Sequence, residues 1–97
     1  MTEAQIIRKA LKKFINGLED QHVGVYSDKR KNGRRKVYKL LAHPGEDTKR
    51  DLQRVLRSLR AQGISGWKLW EGLYGGYLPM VGITKFVPNK HHKEIYS

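Results

Sequence analysis

Between residues 6 and 18, apolar side chains recur every three or four positions and cover one broad face of a helix. The set consists of Ile6, Ile7, Ala10, Leu11, Phe14, Ile15 and Leu18. Thr2 and Gln5 have the spacing of a capping box, which is typical of a helix start. Glu19 and Asp20 disfavour a helix C-terminus, because the last turn carries partial negative charge. The pattern predicts a helix over about residues 3–17.

A second amphipathic stretch lies in the middle of the chain, after the break at Pro44 and Gly45. Its apolar stripe consists of Leu52, Val55, Leu56 and Leu59. Thr48 has the form of an N-cap, with Asp47 as the alternative, and Gly63 suits the position that follows a helix. These features predict a second helix over about residues 48–62.

Strand-like alternation follows each predicted helix. Residues 22–27 alternate and residues 37–42 return, with Asn32-Gly33 between them as the strongest hairpin signal of the chain. A two-residue turn there would place Lys31 opposite Arg34 and Val25 opposite Leu40. Residues 67–74 and 77–87 predict a second hairpin around Gly75-Gly76. A proline at position 79 indicates that one of its strands is at an edge or bulged.

The predicted order is therefore α-β-β-α-β-β, which is an α+β fold. We expect one antiparallel sheet with both helices packed on one face and a basic β-hairpin that projects from it. Residues 1–88 form a single domain in this interpretation, and residues 89–97 form a polar, frayed tail. The expected core contains the helix residues Leu11, Phe14, Leu52, Leu56 and Leu59, with Val25 and Leu40 beneath them.

The charge and composition of the chain narrow the range of functions that it can have. The 97 residues contain 20 Lys and Arg against 9 Asp and Glu, for a net charge of +11, and they contain no Cys. The absence of Cys excludes a disulfide framework and a thiol nucleophile, and the positive net charge favours a polyanionic partner. No apolar run approaches the ~18 residues of a membrane span, and the N-terminus lacks the pattern of a secretory signal. We therefore expect a cytoplasmic protein that binds nucleic acid rather than a membrane.

Most candidate binding residues are cations on two elements. The expected hairpin tip concentrates seven cations against Asp28 alone within residues 28–39, and the second helix carries an arginine stripe opposite its apolar face. The hairpin cations are Lys29, Arg30, Lys31, Arg34, Arg35, Lys36 and Lys39, and the stripe consists of Arg50, Arg54, Arg57 and Arg60. Both groups are predicted to contact phosphates, since arginine binds phosphate in a bidentate manner.

Aromatic residues near the second hairpin form a further candidate set for base stacking or for contact with a partner. They are Trp67, Trp70, Tyr74 and Tyr77. Trp67 and Trp70 have opposite parity along a strand, so they are expected to point to opposite faces of the sheet. One of them would then lie outside the core.

No spacing of residues predicts a metal site, a cofactor or a catalytic centre. The preferred hypothesis is a non-enzymatic protein that binds duplex DNA, with RNA as a close second, because two-stranded ribbons fit the major groove. One alternative is a small inhibitor or adaptor, of the kind phages and mobile elements carry, that docks on an acidic nucleic-acid-processing enzyme. Another is a metal-independent ribonuclease that uses His91, His92 and Tyr96.

Overall fold

The computed structural model describes residues 1–41 and 46–89. It confirms the predicted order of helices and strands. The elements are α1 (Glu3–Phe14), β1 (Val23–Arg30), β2 (Gly33–Leu40), α2 (Glu46–Ala61), β3 (Lys68–Tyr74) and β4 (Leu78–Pro88), with a short 3-10 helix at Asp20–His22. Among the described residues, no helix combines the length and the apolar character that crossing a bilayer requires.

Helix α1 begins with the predicted capping box. The Thr2 hydroxyl accepts a hydrogen bond from the Gln5 backbone N–H at 3.2 Å, and the Gln5 side chain accepts one from the Thr2 N–H at 2.8 Å. The helix ends at Phe14, three residues earlier than expected, because Ile15 is already extended. Ile15 is nonetheless buried, so the apolar periodicity continues past the last helical turn into the core.

Helix α2 begins at Glu46, two residues before the predicted start, so Thr48 lies inside the first turn and is not the cap. Its C-terminus follows the sequence pattern. Gly63 has a φ of +83°, the Ile64 N–H donates to the Leu59 carbonyl at 2.9 Å, and the Gly63 N–H donates to Arg60 at 3.0 Å. This pair of bonds satisfies two orphaned carbonyls of the last turn and ends the helix.

The four strands form one antiparallel sheet in the order β1-β2-β4-β3, and both helices pack on one face of it. The central pair is β2 and β4, which come from different hairpins. Pro79 is in β4, but it lies beyond the last β2–β4 pair, Leu40 with Val81. At that level β4 has β3 as its only described neighbour, so the missing N–H of proline costs no ladder hydrogen bond.

The predicted register of the first hairpin is wrong by two residues. The turn is Lys31-Asn32, so Lys29 faces Arg34 and Val25 faces Tyr38. Gly33 instead belongs to β2, where an added Cβ would collide with the Val87 carbonyl oxygen of β4. The glycine is thus required for the close approach of two strands and not for the turn.

The core is largely the expected one, with Leu11, Leu52, Leu56, Leu59 and Leu40 buried together. Phe14 is an exception, because it packs against the core from its rim and stays partly exposed. Val25 is also misplaced by the sequence interpretation, since 47% of it is exposed. Helix α2 packs over β3 and β4, whereas Val25 is in β1, the strand at the other edge of the sheet.

Candidate nucleic-acid interface

The hairpin tip is three-stranded, which corrects the expectation of a free two-stranded ribbon. Strand β4 runs beside β2 as far as the pair of Gly33 with Pro88. One residue further on, the Asn89 N–H donates to the Asn32 carbonyl at 2.9 Å. We call residues 28–36 together with 85–89 the basic tip. Most of its residues are exposed, whereas Asp28, Arg35 and Lys85 are half-buried and Gly33 is buried.

Four cations of the basic tip point to the helix side of the sheet, because directly paired residues share a face. Lys29 faces Arg34, and Lys36 faces Lys85. None of the four has an acidic partner among the residues that the structure describes; Arg34 only lies 3.4 Å from the Ser27 hydroxyl. Like charges directly opposed across two strands repel, so these pairs destabilise the free tip.

The other side of the basic tip is partly neutralised. The Asp28 carboxylate binds Arg30 at 3.2 Å and also pairs with Arg35. Arg35 is half-buried, and its Nε has no hydrogen-bond partner in the described part of the chain. The turn residue Lys31 is exposed. The predicted cations of the tip therefore fall into two classes: those held by Asp28 and those without a carboxylate.

No described helix packs on the sheet face opposite the helices, which we call the open face, although its central residues Val37 and Thr84 are themselves buried. Lys39 lies on it, away from the tip, with Nζ 5.3 Å from the centroid of the Tyr26 ring. In one row across the four strands, Gly24, Lys39, Gly82 and Trp70 lie side by side. In the next row toward the tip lie Tyr26, Val37, Thr84 and Lys68.

The two tryptophans point to opposite faces, as their parity predicts. Trp67 is buried in the core, its Nε1–H donates to the Glu3 carboxylate at 3.1 Å, and its ring meets Tyr38 edge-on at 5.4 Å. It is thus not available for stacking. Trp70 is on the open face, half-buried, 6.5 Å from the Tyr26 ring.

Tyr77, one of the remaining predicted aromatics, does not join that face. Tyr77 is 81% exposed in the turn between β3 and β4, at the end of the sheet far from the basic tip. The side chain of Tyr74 lies outside the part of the chain that the structure describes. Of the predicted aromatics whose side chains the structure describes, Trp70 is the one that the open face presents next to cations.

The arginine stripe of α2 is exposed on the outer surface of the helix layer, away from the sheet. Arg50 pairs with Asp47 at 3.0 Å, and Arg54 approaches Asp51 at 3.9 Å. Arg57 and Arg60 are exposed in the C-terminal half of the helix. The stripe and the open face are therefore on opposite surfaces of a two-layer fold, so the predicted cations do not form one site.

Two functional candidates were missed by the sequence interpretation, namely Lys85 at the tip and Phe86 on the open face. Phe86 is 46% exposed and faces Arg35 across the β2–β4 pair. The sequence signal that could have pointed to them is glycine within a strand. Gly33 and Gly82 each indicate that another backbone or ring comes close.

Burial raises the pKa of the Tyr38 phenol above its usual value; the Arg8 charge acts in the opposite direction and the Glu3 charge in the same direction. Tyr38 is thus a neutral core residue at ordinary pH.

The described residues contain no cluster of three metal-ligating side chains. His91, His92 and Tyr96 lie outside the described residues. No family model, no curated protein and no solved structure matches this chain.

Proposed function

We propose that this protein is a non-enzymatic nucleic-acid-binding protein whose basic tip contacts phosphates. One observation carries the proposal: two like-charge pairs, Lys29 with Arg34 and Lys36 with Lys85, stand in register on one side of the tip. A polyanion that binds there replaces repulsion with attraction. A solvated loop gains nothing from holding four cations in such an ordered array.

The width of the three-stranded tip argues against the expected insertion of a ribbon into the major groove of duplex DNA. Three strands spaced by ~4.8 Å span about 10 Å between outer backbones before side chains are added. The major groove is about 12 Å wide, which suits a helix or two strands. The basic tip is therefore too broad to enter the groove as a ribbon does. Contact with phosphates from outside supplies affinity with little sequence information, for DNA and RNA alike.

Binding of labelled oligonucleotides at several salt concentrations tests this function. We expect log K to fall with log salt at about −0.7 per neutralised phosphate for a single strand and about −0.9 for a duplex. Changing the four unpaired cations of the tip, Lys29, Arg34, Lys36 and Lys85, to Gln should weaken binding to every sequence. The slope for single strands should become shallower by about 2–3, since up to about four phosphate contacts are lost.

The arginine stripe provides a matched control, because changing Arg50, Arg54, Arg57 and Arg60 to Gln removes the same charge from the exposed outer surface of α2 and leaves the basic tip intact. We expect that variant to retain most of the affinity. Equal losses in the two variants would mean that net charge alone drives binding. Absence of binding even at low salt would instead favour an acidic protein partner, and RNA cleavage without added metal would favour the ribonuclease alternative. Together with a nucleic-acid partner, we propose a cytoplasmic location.

A further inference from the structure

We propose that the open face is a stacking platform for single-stranded nucleic acid, with Trp70 and Phe86 as its base-contacting rings. The proposal rests on the proposed function and adds to it the class of nucleic acid. The open face carries aromatic rings, glycines and cations in adjacent rows, and no described helix packs on it. Single strands are bound by this combination of stacking rings and backbone cations.

Both rings lie over glycines of the sheet. The Trp70 ring covers Gly72, where an added Cβ would lie 2.5 Å from ring atom Cζ2. The Phe86 ring reaches across to Gly33, where an added Cβ would lie 2.8 Å from Cζ. Each glycine therefore gives a ring room to lie over the strands. Phe86 is 46% exposed and Trp70 is half-buried, so both side chains keep some surface in contact with solvent. An aromatic side chain placed in this way can stack on any base, because every base has a π-face.

The charge of the open face fits a nucleic-acid strand. Lys39 and Lys68 flank the aromatic rows, and Arg30 and Arg35 lie on the same face at the tip. Asp28 provides the one carboxylate that the described part of this face contains, and it is already paired. The face thus offers positive charge along the direction from Trp70 to the basic tip. A protein partner that buried it would have to supply matching acids.

The spacing of the two ring-bearing residues along the sheet sets the length of the bound strand. Four residues of β4 separate Gly82, which pairs with Trp70, from Phe86. At ~3.3 Å per residue this is about 13 Å, or about four nucleotides at ~3.4 Å each. A duplex keeps its base faces inside its own stack, so it cannot use the two rings. The geometry therefore favours single strands over duplexes.

The test compares single strands of about 12 nucleotides, a length within known site sizes, with a duplex of the same sequence. Trp70→Leu and Phe86→Leu keep apolar cover but remove the ring. Each should weaken single-strand binding about tenfold and change duplex binding less than about twofold. Tyr77→Leu is the matched control, because it removes an exposed aromatic ring at the far end of the sheet. It should leave both affinities unchanged.

Tryptophan emission gives a second readout. The Trp70 emission should be quenched by a stacked base, whereas buried Trp67 should respond little, so Trp70→Leu should abolish the quenching. Phe86 is at the exposed tip, so its variant should remain folded even if Trp70→Leu does not.

Single-strand affinity unchanged in Phe86→Leu and in a folded Trp70→Leu would overturn the platform while tip-dependent binding stayed intact. A wild-type dimer that Trp70→Leu dissociates would also overturn it, since the face would then bind a second copy. If no nucleic acid binds at all, the proposed function itself fails.

Discussion

Removal of one charge from the pair of Lys36 and Lys85 should stabilise the free protein and weaken its complex with nucleic acid. Cross-strand pairs contribute about 0.2–1 kcal/mol, and a repulsion of about 0.5 kcal/mol corresponds to about 2–4 °C in Tm for a domain of this size. Lys36→Gln and Lys85→Gln should each raise Tm by that amount. The double variant should gain little more, because the first change already removes the repulsion.

Thermal unfolding followed by circular dichroism at low salt measures this effect. Lys68→Gln is the control, since this strand lysine faces Thr84 and has no opposed cation. In about 1 M salt the Debye length falls to about 3 Å, and the difference between Lys36→Gln and the wild type should disappear. If Lys36→Gln and Lys68→Gln shift Tm equally at low salt, the opposed lysines do not repel and the main support for the proposed function is lost.

Three further changes have distinct expected results. Gly82→Ala should prevent folding or lower stability by more than about 3 kcal/mol in urea unfolding, because its Cβ meets the β2 backbone. Gly24→Ala should be mild, because its Cβ meets only the side chains of Lys39 and Leu41. Tyr38→Phe should match the wild type near neutral pH. Because the folded pKa of Tyr38 is raised above 10.0, the wild type alone should lose the stability associated with this group as pH rises above about 10, which urea titrations at both pH values would detect. Asp28→Asn frees two arginines, so it should tighten nucleic-acid binding and steepen its salt dependence, as measured by anisotropy.

The helices and the order of elements could be predicted because periodicity reports directly which face of an element is buried. Leu11 and Leu59 are core residues for that reason alone. Gly33 could not be placed in this way. Asn32-Gly33 has the local signature of a turn, but β4 approaches this glycine from more than fifty residues away and takes it into the sheet. A non-local backbone contact here outweighs a local turn preference.

The residues of the candidate site also fall into those that a local pattern predicts and those that only a non-local contact reveals. Composition alone identified the hairpin cations, since charge density within a short segment needs no knowledge of the fold. Lys85 and Phe86 join them only through the pairing of β2 with β4, which no local pattern reveals. Trp67 and Trp70 are an intermediate case. Parity predicted that they point to opposite faces, but the position of the helices decides which of them is buried.

The position of Asp28 gives the two sides of the basic tip different chemistry. On the open side its carboxylate holds Arg30 and Arg35 in place beside Phe86, and a guanidinium that is fixed in this way is suited to directional contacts. On the helix side the unpaired lysines are flexible point charges, which attract any phosphate chain from any direction. The unpaired cations that attract phosphates and the arginines that Asp28 holds in place thus lie on opposite faces of one sheet. A single strand that is drawn to the helix side has only to pass round the end of three short strands to reach the rings of the open face.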